Sequence, residues 1–168
     1  MGLVLSGVVL FVSLLPNPPA LIPVGARSAA AQGENEFYRT LARKPIATRE
    51  DVIRCVARLG GYRGPDQVER EIAYVKEQGI KLGRAVERNA RAPVTKGESS
   101  RVILSAMRGA AVQRGLLGRI FTGSRRYAAR DAMAQEILPT DSYMNEFMTG
   151  GELLSMLSRA VDQMGKKQ

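Results

Sequence analysis

The chain contains no histidine and no tryptophan, one cysteine, and few aromatic residues of any kind, 5% of the sequence. Without histidine there is no Ser–His pair, no imidazole general base and no imidazole metal ligand. A single cysteine excludes an intramolecular disulfide and any paired-thiol site. Scarce aromatics disfavour a sugar site built on stacked rings and suit a helical core of Ala, Leu, Met and Val. Acidic residues are also in deficit: 25 Lys and Arg stand against 16 Asp and Glu, a net charge of +9. That excess implies an anionic partner, whether nucleic acid, membrane headgroups or an acidic wall polymer.

Long apolar runs are missing as well. The best one, Leu3–Leu15, is followed by Pro16-Asn17-Pro18-Pro19 and is shorter than the ~20 residues that span a bilayer as a helix. A second apolar patch, Ala20 to Val24, leads to Ser28-Ala29-Ala30-Ala31-Gln32, the small-residue pattern that signal peptidase accepts. Residues 1–31 therefore read as a secretory signal cut near Ala31. Residues 32–168 read as a single helical domain exported to the periplasm or cell envelope.

What is present is one pattern used three times: Thr48-Arg49-Glu50-Asp51, Thr95-Lys96-Gly97-Glu98 and Thr149-Gly150-Gly151-Glu152. A Thr followed three residues later by an acid, ahead of an apolar helical pattern, is a capping box. Thr48 with Asp51, Thr95 with Glu98, and Thr149 with Glu152 are the expected structural caps. Aligned on the Thr, the copies match: Cys55, Val102 and Met156 share one column, and Val56, Ile103 and Leu157 the next. Repetition at a spacing of about 50 residues predicts an all-α fold of helix-loop-helix repeats packed as a small bundle. Cys55 fills a core slot and is expected to be a buried structural thiol. The apolar faces predicted are Val52, Cys55, Val56 and Leu59 in the first capped helix and Val102, Ile103, Ala106 and Met107 in the second. In the third they are Leu153, Leu154, Leu157, Ala160, Val161 and Met164. A helix capped by Asp66 and ending at Gly79, a polar connector over 81–92, and a helix from about Tyr127 to Ile137 fill the intervals. The Gly- and Arg-rich insertion at 109–126 carries Leu116, Leu117, Ile120 and Phe121 among Arg108, Arg114, Arg119, Arg125 and Arg126. It reads as a frayed helix, a linker or a basic-apolar surface loop.

The middle copy resembles an S-layer-homology (SLH) motif. A helix ending in Gly79-Ile80 is followed by Gly83 and a loop, and Ala92-Pro93-Val94-Thr95-Lys96-Gly97-Glu98 opens the next helix. The family's own opener is Ile-Thr-Arg-Ala-Glu. The resemblance covers about two and a half motifs over roughly residues 34–164. It implies an SLH-like spindle that attaches an exported protein to anionic wall polymer or peptidoglycan. It further implies ligand-binding roles for Arg49 and Lys96, at the opener's Arg position, with Gly79 and Gly83 beside them. Gly150 carries no cation in the third copy, so the resemblance implies poor binding or a structural role there.

The function expected is thus non-catalytic binding to an anionic envelope polymer. Alternatives are a nucleic-acid-binding helical protein, because paired helices with short turns and a positive charge suit helix-turn-helix modules, or an adaptor docking on membrane or another envelope protein through the basic loop. No enzyme, cofactor or metal is expected. Glu69, Asp131 and Glu136 lie among Arg and Lys and read as surface ion-pair partners.

Overall fold

In a computed structural model the described residues are 24–107 and 124–166, with side chains from Gly33 onward. They form helices α1 (Val24–Ala42), α2 (Arg49–Leu59), α3 (Val68–Glu77), α4 (Arg84–Arg88), α5 (Lys96–Ala106), α6 (Arg125–Ala134) and α7 (Gly150–Gly165). Among these residues the only β-type pairings are two isolated bridges, Thr48 with Pro93 and Thr95 with Phe147. The all-α expectation holds. The apolar run 3–15 and most of the Gly- and Arg-rich insertion, with Arg108, Arg114 and Arg119, lie outside the described residues. One continuous helix, α1, runs through the expected cut at Ala31.

All three capping boxes form in full, because each Thr is extended and each acid sits three residues on. In the third, the Glu152 amide donates to Thr149 Oγ1 at 3.1 Å and the Thr149 amide donates back to Glu152 Oε2 at 2.8 Å. The stops are equally patterned. Three helices end with a residue at positive φ: Gly61 (92°) after α2, Gly79 (72°) after α3 and Glu136 (58°) after α6. In each, the next amide donates to the carbonyl five residues back: Tyr62 to Ala57, Ile80 to Val75, and Ile137 to Ala132. This is the Schellman closure, which satisfies the orphan carbonyls of a helix end.

The three openers meet in a closed triangle of backbone hydrogen bonds. The Val94 amide donates to the Ala47 carbonyl at 3.0 Å, Ala47 to Met148 at 2.7 Å, and Met148 to Val94 at 3.2 Å. One residue past each cap, a second tier runs in the opposite rotation: Arg49 donates to Ala92, Lys96 to Glu146, and Gly150 to Lys44. Ala47, Val94 and Met148 are all but fully buried, since extended backbone alternates its side chains and these point inward. The residues before them, Ile46, Pro93 and Phe147, are exposed. From this ring α2, α5 and α7 lead away. α5 is the hub and packs on α2, α6 and α7; α3 lies on α2 and α1 on α7.

The core is close to the predicted faces, with four departures. Leu59 and Val161 are 40% and 43% exposed; α2 buries Ile53 and Ala57 instead, because α3 covers its flank. Asp66 does not cap α3, whose cap Gln67 makes no side-chain bond; its carboxylate binds Arg58 at 3.0 Å. The connector 81–92 contains α4, whose Val86 is buried. Arg125 and Arg126 belong to the first turn of α6 rather than to a loop.

Candidate functional site

The opener cations are tied to the ring. The Arg49 guanidinium grips Glu98 twice, Nε to Oε2 at 3.2 Å and Nη2 to Oε1 at 3.0 Å, and its Nη1 donates to the Ala85 and Asn89 carbonyls. Lys96 Nζ lies 2.8 Å from Glu146 and 3.1 Å from Glu152. Glu98 and Glu152 thus each serve their own Thr and the cation of the preceding opener. The resemblance implies that both cations meet a ligand. The structure instead shows Lys96 buried, at 6% exposure, and Arg49 with most of its donors engaged inside the protein. Burial alone would lower the pKa of the Lys96 ammonium, but hydrogen bonds and charge from Glu146 and Glu152 outweigh it and raise it. The Glu152 carboxyl is lowered, first by the Thr149 amide and then by Lys96, against a smaller opposing effect of burial.

The third copy closes the cycle by another route. Asp51 receives no cation from Gly150. It takes one from Lys44, whose Nζ lies 2.6 Å from Asp51 Oδ2. Gly150 has a steric reason to be glycine, since a Cβ there would collide with the Leu41 carbonyl oxygen at the end of α1. The cation absent from the opener is therefore supplied from four residues before the cap.

Gly79 and Gly83 part company. Gly79 is the positive-φ residue that ends α3, and no described cleft is lined by it. Gly83 precedes α4 and lines a cleft of about 190 Å³ with Arg84, Ala85, Val86, Glu98, Arg101 and Arg125. A side chain at Gly83 would collide with the Arg101 guanidinium that lies over it. Three guanidiniums thus line this cleft against one carboxylate, and that carboxylate, Glu98, is already bound by Arg49 and lies 3.3 Å from Arg125. Arg84 is exposed and makes no ion pair among the described residues. A larger cleft, about 440 Å³, is lined by Lys96, by Thr149, Glu152, Met156 and Arg159 of the α7 region, and by the Ile137-Leu138-Pro139 segment.

The Cys55 thiol is buried and pushed up to about 12, by burial first and then by the Asp51 charge, so it stays protonated, as expected of a structural thiol. Glu71 is fully buried on α3 with Oε1 2.8 Å from Arg54 Nε. Burial raises its pKa and Arg54 opposes the rise. This pair pins α3 to α2.

Sequence reasoning passed over Lys44, Arg84, Glu146 and Arg159. Arg101 and Arg159 do carry a signal, because the Thr-aligned copies place Arg54 level with Arg101 and Arg58 level with Arg159, in polar columns beside the apolar ones. Lys44 and Glu146 carry no such signal, because the ring brings them in from outside the aligned helices. Compared with family models, curated proteins and solved structures, the chain matches none.

Proposed function

We propose that this chain is a non-catalytic, exported binding protein of the cell envelope that uses SLH-like repeats to hold an anionic wall polymer or peptidoglycan. The observation that carries the reading is the cleft at Gly83, where Arg84 makes no ion pair among the described residues and Arg125 shares the one lining carboxylate, Glu98, that Arg49 already neutralises. Guanidiniums in such excess favour carboxylate or phosphate groups, which accept their paired donors. Arg49 then acts by fixing Glu98 and the Ala85 and Asn89 carbonyls beside it, and Arg84 and Arg125 meet the ligand's charge. Lys96 plays the matching structural part at the next opener. The cyclic join of three openers supports the SLH resemblance beyond the capping boxes, which many helices share.

Co-sedimentation of the full-length protein with purified sacculi tests this. Saturable binding that weakens as salt is raised is the expected result, because the contacts are charge pairs on a solvent-open surface. Protein that stays in the supernatant at low salt removes the reading.

A further inference from the structure

We propose that the cleft at Arg159 is a second binding site and that it takes the C-terminal end of a peptide, a free carboxylate beside a bulky apolar side chain. One wall is a single stripe of α7: Glu152, Ser155, Met156 and Arg159, spaced i, i+3, i+4, i+7. The opposite wall is Ile137, Leu138 and Pro139. Lys96 and Glu152 bind each other at 3.1 Å, so these two lining charges cancel. Arg159 is exposed and makes no ion pair among the described residues, so the cleft carries one unspent guanidinium beside apolar walls. No aromatic side chain lines it, so a sugar ring has nothing to stack on. Exposed Pro139, with the edges of the otherwise buried Ile137, Leu138 and Met156, offers instead a surface for an apolar side chain.

The protein contains its own version of the complex. Counted from the capping Thr, Arg159 stands where Arg58 stands in the first repeat. Arg58 holds both oxygens of Asp66, at 3.0 and 3.1 Å, and lies 4.2 Å from the centre of the Phe37 ring. The first repeat thus fills this position with a carboxylate and a bulky apolar group drawn from its own chain. The third repeat presents the same guanidinium to an open cleft of about 440 Å³, room for a terminal residue and part of the one before it. A C-terminal Phe or Leu supplies both groups from one residue. This site is separate from the Gly83 cleft, so it does not rest on the polymer reading.

Titration calorimetry on the full-length protein with acetyl-Ala-Ala-Phe tests the inference. Two matched peptides are compared, one with a C-terminal amide and one with Ser in place of Phe. The expected result is saturable binding to the free acid and at least tenfold weaker binding to both matched peptides. Arg159→Gln should weaken binding of the free acid at least tenfold with an unchanged melting temperature, and Arg84→Gln should leave it unaltered. Equal binding of acid and amide, insensitivity to Arg159→Gln, or no saturable heat with the free acid overturns the proposal. Sacculus binding that survives any of these outcomes shows that only the peptide site has failed.

Discussion

Glu136 ends α6 in a conformation that costs an L-residue about 1–2 kcal/mol, at the position where Gly61 and Gly79 end α2 and α3. The side chain is exposed, so little is lost by removing it. Glu136→Gly should therefore stabilise the protein by about 1 kcal/mol, the αL relief less the added unfolded-state entropy of glycine. Urea unfolding reads this directly, and a lower midpoint for the variant would contradict it. The residue scale also explains where the sequence was hard to read. Glu136-Ile137 is the third repeat's counterpart of Gly79-Ile80, disguised because the positive φ there is imposed by the Schellman bonds rather than announced by a glycine. Gly150 misled in the opposite sense. It looked like a lost binding residue, but it is glycine because the Leu41 carbonyl leaves no room for a Cβ.

At the scale of elements, the starts of α2, α5 and α7 were fully legible, because a capping box is a local device and needs only a Thr and an acid three residues apart. The apolar columns were legible for the same reason. The partners of the caps were not. Arg49 lies far in sequence from Glu98, and Lys96 far from Glu146 and Glu152; pairings of that range are set by how the helices assemble. They have a consequence for acid stability. The Glu152 carboxyl is held below its ordinary value of 4.5 in the folded protein. A depressed folded pKa contributes stability that is present above the unfolded value and is lost as pH falls through the folded one. Glu152→Gln should accordingly lower the urea midpoint at pH 7, and its deficit against the wild type should shrink progressively below pH 4.5. A deficit that persists undiminished in strong acid would show that the Glu152 charge is not its source.

On the scale of the whole molecule, three helix N-termini converge on one ring, each bringing the positive end of a helix dipole. Asp51, Glu98 and Glu152 answer those ends, and Lys44, Arg49 and Lys96 answer the acids in turn. The ring is close to self-neutral, so the chain's net charge of +9 must be displayed elsewhere. Among the described clefts, the Gly83 cleft displays it most densely. The cations differ accordingly: Lys44, Arg49 and Lys96 are tied into the ring, whereas Arg84 is exposed and makes no ion pair among the described residues. Composition gives only the excess of cations; the assembled ring shows which of them are tied into it. The most direct test is co-sedimentation of the Arg84→Gln/Arg125→Gln double variant with sacculi, beside the wild type and with a thermal melt of each. Both side chains are largely solvent-exposed, so folding should be preserved. The expected result is binding weakened at least tenfold with a melting temperature within a few degrees of wild type. A double variant that melts normally and binds sacculi as tightly as the wild type would contradict the account.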